Sequence, residues 1–502
     1  MELSFDRNSM ECWEESFSQT LRKEDSQDSV VPDTMPDIGG LVCCTGTPLI
    51  RGKDVTEGRV RLEANIPAKA VYTPEEGGGL YVLEVNLPLY VSFEDTGIAA
   101  DSVCVAEIEL AALEARTLNP RKISVRAETV FRVRCFTPAQ IQSVGAPAGE
   151  TEGIHLLERV GAVTPLCAVT EKTFVLTDEF QLGAEQPDMA RILSQSILPQ
   201  VEEIRCVGGK LVVKGNVRSC LTYASAEGEG GSLRLETGFS QVVDAGELPE
   251  ESHAVVSLLV SGAYFEPGPD GRGGTAEIHM VLQAMVYGKT GVTSVVDAYS
   301  ARYPLELERE PLETGGIQTE LSLRESFHET VPAPQSVGEI LGAQLRPGLP
   351  AVEEGTVALP VTADIFYETT EGELCSVRRD FIWHLTQGLE PGQSLEVTAV
   401  ALSEPALSPA AGGIELRVSA EVRAFLRQTQ ETERITGLRY DEDAAPDLSE
   451  LPSLVLLRAS NRDDLWTLAK ENCSTVAAIS EANGLDSLGA VWEKLILIPK
   501  CV

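Results

Sequence analysis

The stretch Gly58-Arg-Val-Arg-Leu-Glu-Ala-Asn65-Ile-Pro-Ala-Lys-Ala-Val-Tyr72 recurs in altered form as Gly209-Lys-Leu-Val-Val-Lys-Gly-Asn216-Val-Arg-Ser-Cys-Leu-Thr-Tyr223. Its glycine, asparagine and tyrosine keep one offset of 151 residues, and Pro36-Asp37-Ile38 keeps the same offset to Pro187-Asp188-Met189. Anchors that hold a single ungapped register indicate an internal repeat. The fold prediction therefore starts from this repeat.

A third, weaker copy follows the first two. It reads Thr356-Val-Ala-Leu-Pro-Val-Thr-Ala-Asp-Ile-Phe-Tyr367, and its tyrosine lies 144 residues after Tyr223. In all three copies an acidic, glycine-containing turn follows the tyrosine, at Glu75–Gly79, Glu227–Gly231 and Glu371–Glu373. Three related units are therefore expected, in line with the roughly three domains that about 150 residues per domain suggest.

The composition within the repeats is typical of β-strands. The stretches Leu80–Val91 and Val255–Gly262 are rich in β-branched residues, and Ile414–Phe425 alternates apolar with polar residues. Helix-like spacing is confined to Met189–Leu198 and Val337–Leu345, where short helices are predicted. We therefore predict a mainly β protein with three tandem β-sandwich-like repeats.

The predicted boundaries follow changes in composition. Residues 1–30 form a polar N-terminal segment. Linkers rich in proline, glycine or acidic residues are expected at 137–161, 306–318 and 441–452. The three repeats would then occupy residues 31–136, 162–305 and 319–440, of which the last matches least well.

The tail from residue 453 to residue 502 has a different pattern. It predicts strand Leu454–Arg458, helix Asp464–Lys470, helix Val476–Ala482 and strand Leu495–Ile498, a small βααβ domain that Pro499 closes. Asp463 is the expected N-cap of the first helix, and Ser474 or Thr475 that of the second. Asn483-Gly484 is a typical left-handed helix stop.

The charge of the chain excludes several classes of partner. The 502 residues carry a net charge of −37, with a pI near 4.5 and only 5% aromatic residues. Such a chain repels phosphate backbones and anionic lipids, and it offers few rings for base stacking. We therefore expect no nucleic-acid partner. The tail contains 5 basic and 6 acidic residues, so nearly all of the negative charge lies in the repeats.

The N-terminus and the cysteines indicate the compartment. No basic and apolar leader and no apolar run of about 18 residues occurs, which predicts a cytoplasmic protein without a transmembrane segment. The eleven cysteines are scattered, odd in number and never spaced as CxxC. They are interpreted as small buried apolar residues in a reducing compartment.

The sequence contains no recognisable catalytic or metal-binding constellation. The five histidines lie far apart, no GxSxG occurs, and Gly268–Gly274 lacks the ending of a phosphate-binding loop. That loop is interpreted as a hairpin turn, His384 as a strand residue, and Arg121-Lys122 as a turn that leads into a strand. The pairs Glu202-Glu203 and Glu353-Glu354 are interpreted as solvated turn residues. We expect no enzyme activity, no cofactor and no metal.

The tail resembles a LysM domain. The resemblance rests on Asp464–Lys470, Ala482–Leu485 and Leu495–Pro499, whose order and spacing agree with that family. It implies binding of N-acetylglucosamine glycans such as peptidoglycan, in a groove between two loops. This chain has Ser460–Asp464 where the family has Gly-Asp-Thr, and Gly489–Lys494 where the family has Pro-Gly-Gln. Glycines that would allow close approach of a ligand are therefore missing at the expected positions.

The upstream repeats resemble the SPOCS-domain family of endospore-forming Firmicutes, through Val31–Ile38 and Leu118–Ala127. SPOCS repeats followed by one LysM domain form an architecture similar to that of clostridial spore coat morphogenetic proteins. The resemblance implies a non-enzymatic coat assembly protein. It would be made in the mother cell, and its LysM-like tail would recruit it to the forespore surface by binding an ATPase-type coat morphogenetic protein. The repeats would act as spacers or as homo-oligomerising modules.

The predicted binding site lies in the two loops of the tail. It comprises Asn461, Arg462, Asp463, Asp464, Leu485, Val491 and Trp492. For Trp492 two interpretations stay open: the ring covers the small tail core, or it is an aromatic anchor at a protein interface with the charged first loop as its rim. Two occupants also stay open, namely the coat protein partner as the leading hypothesis and peptidoglycan or cortex glycan as the alternative.

Overall fold

The computed structural model describes residues 2–76, 78–148, 153–441, 452–458, 464–485 and 495–501. Strands make up 75% of the structure and helices 3%, which confirms the predicted mainly β class. The elements of the described residues are β1 (Glu2–Val30), β2 (Ile38–Thr45), β3 (Leu49–Thr56), β4 (Arg59–Pro74), β5 (Tyr81–Glu94), β6 (Val103–Asn119), β7 (Lys122–Ala148), β8 (Ile154–Val163), β9 (Leu166–Gln181), β10 (Arg191–Val207), β11 (Lys210–Ala224), β12 (Gly230–Asp244), β13 (Ser252–Pro267), β14 (Gly273–Gly288), β15 (Thr290–Ser300), β16 (Leu305–Pro332), β17 (Val337–Pro347), β18 (Ala351–Glu353), β19 (Thr356–Thr369), β20 (Leu374–Thr386), β21 (Gln393–Leu402), β22 (Ala406–Ala410), β23 (Gly413–Tyr440), β24 (Leu454–Arg458), α1 (Leu465–Glu471), α2 (Val476–Asn483) and β25 (Leu495–Pro499).

The three copies of the repeated stretch are the central strands of three separate small sheets. Strand β4 lies between β2 and β3 on one side and β5 on the other, β11 lies between β10 and β12, and β19 pairs with β17, β18 and β20. The repeated tyrosines, Tyr72, Tyr223 and Tyr367, are each 0% exposed. The sequence repeat is therefore also a structural repeat.

A β-bulge recurs beside the repeated tyrosine in all three small sheets. The pairing register shifts between Leu41 and Cys43 in β2, between Ile192 and Ser194 in β10, and between Ile340 and Gly342 in β17. The helices predicted at Met189–Leu198 and Val337–Leu345 are therefore wrong, because most of these residues belong to β10 and β17. Each bulge adds a residue to the alternation, so the apolar spacing imitates that of a helix.

The long strands join into one 12-stranded sheet. Its main path is β13-β14-β9-β1-β23-β16-β8-β15, with β7 and β6 joined through β1 and with β21 and β22 paired to β23. Each small sheet packs onto a different part of this large sheet around its own hydrophobic core. Representative core residues are Leu62 and Val125, Val213 and Ile278, and Leu359 and Leu416.

The predicted polar segment 1–30 and two predicted linkers are strands. Strand β1 pairs with β7 from Ser4 opposite Ala148 to Val30 opposite Lys122, so β7 runs through 137–148. Residues 154–161 lie in β8, and 306–318 lie in β16 paired with β23. Most described side chains of β1 and β16 are exposed or half-buried, so neither strand shows in the sequence the continuous apolar face that would mark it as a strand. Most of the third predicted linker, residues 442–451, lies outside the described residues.

Several turn predictions are confirmed. Residues 268–272 connect β13 to β14, His384 lies in β20, and Arg121 lies in the turn between β6 and β7. Of the pair Glu353-Glu354, Glu354 stands in a turn as predicted, with φ of 47°, whereas Glu353 is the last residue of β18 and not a turn residue. The pair Glu202-Glu203 lies in β10 and not in a turn; Glu202 accepts a hydrogen bond from Asn216 and Glu203 pairs with Lys214.

The prediction that all cysteines are free is wrong for one pair. Cys104 on β6 and Cys135 on β7 face each other with their Cα atoms 4.2 Å apart, and they form a disulfide. The nine other cysteines are free. The pair could not be found from its separation of 31 residues, because strand register alone places the two side chains opposite each other.

An arginine at the start of a long strand holds the Pro-Asp motif in the first two units. Arg121 donates to the carbonyls of Val31 and Met35 and to the carboxylate of Asp37, at 2.8–2.9 Å. One repeat later, Arg272 donates to the carbonyls of Gly183 and Gln186 at 2.6 Å and to Asp188 at 3.0 Å. In the third unit Gly412 precedes β23 at this position. The third copy therefore lacks both the arginine and the Pro-Asp motif that the arginine holds in the first two units.

We predict that Arg272→Ala destabilises the second unit by about 1–2 kcal/mol, because three acceptors lose a charged donor that is itself partly exposed. Arg272→Lys should recover only part of the loss, since an ammonium cannot reproduce the forked geometry. Hydrogen exchange of the β14 amides measures the effect. Arg159→Ala, at an exposed position of β8, is the control and should leave that exchange unchanged.

Candidate functional site

Two of the seven predicted site residues lie in the described part of the chain. Asp464 precedes α1, and Leu485 follows α2 and packs against the tail core. Asn461, Arg462, Asp463, Val491 and Trp492 lie outside the described residues. The geometry of the two predicted loops is therefore approached from the helices and strands that carry them.

The described part of the tail is a strand, two helices and a strand around a small core. Strand β24 pairs antiparallel with β25, and the inward side chains of both helices and of β25 are buried, namely Leu468, Ala469, Ile479, Ile496 and Ile498. The predicted stop at Asn483-Gly484 is confirmed, because Gly484 caps α2 in the left-handed region with φ of 58°. Thr475 caps the start of α2, as one of the two predicted alternatives.

The N-cap of α1 is one residue later than predicted. The carboxylate of Asp464 accepts a hydrogen bond from the backbone N–H of Thr467 at 2.6 Å, so Asp464 takes the role predicted for Asp463. Either aspartate satisfies the sequence rule, and the start of the helix at Leu465 decides between them. Asp464, one of the predicted site residues, therefore has a structural role as the N-cap of α1.

Asn483 connects α2 to the last strand. Its side-chain amide donates to the carbonyls of Ile479 and Leu497 at 2.7 and 2.6 Å, and its carbonyl oxygen accepts from the N–H of Leu497 at 2.8 Å. These bonds fix α2 against β25, and the second loop connects these two elements. The asparagine therefore positions one side of the predicted site without forming part of it.

The tail is attached to the repeats at one acidic residue of β15. The carboxylate of Asp297 accepts from the indole N–H of Trp466 at 2.8 Å and from the ammonium group of Lys470 at 2.7 Å. Trp466 and Lys470 are four residues apart on α1, so they lie on the same helix face. Arg309 on β16 lies 3.7 Å from the same carboxylate. Helix α1 is thereby fixed to the last strand on the path of the large sheet.

A tyrosine two residues further along β15 completes this contact. Tyr299 is 5% exposed, belongs to the core of the tail and donates from its hydroxyl to the carbonyl of Ser474 at 3.0 Å. Its ring meets that of Trp466 edge-on at a centroid distance of 4.8 Å and lies 4.9 Å from the ring of His155. We call Asp297, Tyr299, Trp466 and Lys470 the tail junction.

Burial and charge pairing set the pKa values at the tail junction. Burial alone would raise the pKa of Asp297, but the hydrogen bonds from Lys470 and Trp466 outweigh it and hold the pKa below its ordinary value. Burial raises the pKa of Tyr299 to about 12 and lowers that of His155. The contact is therefore built for an ionised aspartate, a neutral tyrosine and a neutral histidine.

The tail junction was missed at the sequence level. Asp297 and Tyr299 lie in Ser294-Val-Val-Asp-Ala-Tyr-Ser300, where alternation puts both on one strand face. An aspartate two residues before a tyrosine in a β-branched stretch is a detectable signal. It gives no clue to its partner 169 residues away, because that pairing depends on how the tail folds back.

The described residues bring together no group of three or more His, Cys, Asp or Glu side chains that could hold a metal ion. A cavity of about 370 Å³ lies between the second and third small sheets and is lined by Arg218, Ser219, Arg234 and Gln344, among others. Arg218 donates to the carbonyl of Leu402, and Arg234 pairs with Glu404. These contacts join two units of the scaffold.

The comparisons with known proteins give no assignment. No family model matches the chain, and a search of curated proteins finds no match to it. No helix in the described ranges is long and apolar enough to cross a membrane.

Proposed function

We propose that the chain is a non-enzymatic assembly protein of the spore coat. In this proposal three SPOCS-like β-sandwich modules form a scaffold, and the LysM-like tail docks an ATPase-type coat morphogenetic partner at the forespore surface. The protein is made in the mother cell and is recruited through its tail. The two loops that contain Arg462 and Trp492 form the docking site.

One observation carries the proposal. The strand–helix–helix–strand tail is attached to β15, the last strand on the path of the sheet that joins the three repeated units. A tail held by Asp297 and Tyr299 has a defined position on the scaffold. A defined position favours a recruiting role, because a partner that binds the tail then also orients the repeats. The near-neutral tail beside strongly acidic repeats supports the same division between recognition and scaffold.

Truncation before Pro452 tests the proposal. A fluorescent fusion of the truncated chain is expected to lose its forespore shell in sporulating cells, while the repeats stay folded by circular dichroism. Truncation also uncovers Tyr299, so the truncated chain with Tyr299→Ser is the control for nonspecific sticking. A forespore shell of normal intensity without the tail would contradict the proposal.

The glycan alternative predicts a different result from the same chain. Retention of the full-length protein on insoluble peptidoglycan, competed by chitin oligomers, would favour peptidoglycan or cortex glycan as the occupant of the loops. The missing loop glycines favour the protein partner. Full-length protein that stays in solution in this assay but still surrounds the forespore in cells is the result that we expect.

A further inference from the structure

The two strands of the tail carry apolar side chains on both of their faces. The inner face of β24 and β25 packs against α1 and α2 through Val455, Leu457, Ile496 and Ile498. Side chains of a strand alternate between faces, so the residues between them point outward. Three cross-strand pairs make up this outer face, namely Leu454 with Pro499, Leu456 with Leu497, and Arg458 with Leu495.

Three of the four leucines of this outer face are open to solvent, and Leu497 is half-buried. Leu454, Leu456 and Leu495 are 51%, 61% and 65% exposed. Five of the six positions are apolar, and the sixth, Arg458, is exposed and basic. An antiparallel sheet with a solvated face normally shows polar residues there, and a contiguous exposed apolar patch marks an interaction site. We call these six residues the outer leucine face.

The small size of the outer leucine face limits which kind of structure it can bind. Two strands of five residues span roughly 16 Å in length, and with their side chains roughly 10 Å in width. Two copies meeting through this face alone would bury far less than the about 800 Å² per partner that a stable dimer needs, so the face serves as one part of a larger partner contact. One amphipathic helix, about 10–12 Å in diameter and three turns long, matches the same outline.

The positive charge at one end of the outer leucine face determines which way a bound helix would point along it. Arg458 stands opposite Leu495 at the edge of the apolar pairs. A partner helix that covers the leucines would place a carboxylate there, at the rim, where an arginine forms forked hydrogen bonds. An aliphatic stripe with an acidic residue at one end is therefore the complementary chemistry.

We propose that the outer leucine face docks an amphipathic, acid-flanked helix of the coat partner. This inference rests on the proposed function and deepens it, because it assigns part of the partner contact to the sheet in addition to the loops. Helix α1 faces β15 through Trp466 and Lys470, while the outer leucine face lies on the side of the tail sheet away from both helices. The tail thereby contacts the scaffold on one side and the partner on the other.

The test is a binding titration of the purified full-length chain against the purified ATPase-type coat protein of the same organism. Leu456→Lys combined with Leu495→Lys should weaken binding about thirtyfold or more, as expected at the centre of an interface. Arg458→Glu should weaken it about tenfold. Ile382→Lys is the matched control, since Ile382 is 65% exposed on β20, and it should change the affinity less than about twofold.

The outcomes separate this inference from the proposed function. If the leucine variants bind as well as wild type but truncation before Pro452 abolishes binding, the outer leucine face is not a docking surface. The proposed function would still stand. A wild-type chain that does not bind the ATPase-type protein would overturn both. Self-association that these leucine substitutions remove would make a second copy the occupant and would also overturn the helix. Unchanged hydrogen exchange of Leu468 and Ile479 verifies that the tail of each variant is folded.

Discussion

Replacing Tyr72 by alanine is expected to lower the free energy of unfolding of the first unit by about 3–5 kcal/mol, the range for removing a buried aromatic ring. The side chain is 0% exposed at the end of the central strand β4, and its ring stacks on that of Tyr81 at 5.8 Å. Tyr72 sits where β2, β4 and β5 meet and belongs to the core of the first unit, so its removal leaves a cavity there.

The same substitution at Tyr223 should be equally costly for a related reason. Its ring lies over Gly231 on β12, where even a Cβ atom would come within 2.4–2.7 Å of the ring. Sequence and structure therefore agree that the tyrosine and the glycine-containing turn after it form one unit. Native-state hydrogen exchange of the amides of β4 and β11 measures both losses unit by unit, which is needed because a chain of this size need not unfold in one step.

The hydroxyl groups provide a sharper comparison of the two copies. The hydroxyl of Tyr72 donates to the carbonyl of Pro36 at 3.0 Å, whereas the hydroxyl of Tyr223 is buried and has no hydrogen-bond partner among the described residues. Tyr72→Phe should therefore cost about 1 kcal/mol, while Tyr223→Phe should cost nothing or stabilise its unit. Equal losses at the two sites would contradict this assignment of the hydroxyl contacts.

The repeat carries much of what could be predicted of the fold. The offset between Tyr72 and Tyr223 marked two strands that proved to be central, and the residues next to each tyrosine are buried on both strand faces. In the tail, Thr475, Gly484 and Pro499 marked the ends of elements correctly. Such local signals work because a cap or a stop depends on one or two neighbouring residues.

The long strands could not be predicted, because they depend on partners that lie far away in the sequence. Strand β1 is held by β7, whose partner residues lie as far away as Ala148, and neither of its faces is continuously apolar. Backbone hydrogen bonds do not depend on side-chain pattern, so a polar strand resembles a linker in sequence. The pairing of Glu2–Ser4 with Gly437–Arg439 brings the beginning of the first unit to the end of the third, a contact that depends on the whole topology.

The candidate site also has parts that could be predicted from the sequence and parts that could not. Asp464 and Leu485 were predicted from the spacing of the tail, and both lie close to the ends of helices; their role in binding stays a prediction. The tail junction was not found, because Asp297 and Trp466 come from units that were interpreted as separate domains. A half-buried carboxylate that accepts from two side chains of the tail is a feature of the assembled chain.

Replacing Asp297 by asparagine is expected to release the tail from β15. The substitution removes the charge that Lys470 and Trp466 approach within 2.8 Å, and it leaves an ammonium group without its anion. The loss should be about 1.5–3 kcal/mol, which shifts the docking equilibrium roughly ten- to hundredfold toward the free tail. Faster hydrogen exchange in β15 and α1, with unchanged exchange in β4, is the measurement that checks it.

A control separates docking from folding of the tail itself. Asp464→Asn removes a charge of the same kind from the same region but keeps an N-capping side chain, so the tail should stay docked. If Asp297→Asn left the exchange of β15 and α1 at wild-type rates, Asp297 would not hold the tail. If β4 also exchanged faster, the effect would be general destabilisation and not release.

The pH dependence of docking follows from the direction of the pKa shift. The docked tail lowers the pKa of Asp297, so the docked state favours the ionised form. Its stabilisation is fully present above the ordinary pKa of 3.8 and is lost as the pH falls through the lowered value. His155, whose pKa is lowered by burial, adds a separate loss that begins as the pH falls below 6.5.

Comparison of wild type with Asp297→Asn isolates the aspartate from this background. Both proteins contain His155, so its contribution cancels in the difference between their free energies of docking, which the exchange rates give once each is divided by the intrinsic exchange rate at that pH. That difference should be constant from pH 8 to about pH 5 and should shrink toward zero below about pH 4, because a protonated aspartate and an asparagine are then equally uncharged. A difference that grew on acidification would contradict this account, because it would mean that the protonated carboxyl holds the tail. A protonated Asp297 is chemically unfavourable there, since Lys470 and the indole N–H of Trp466 are both donors and require an acceptor.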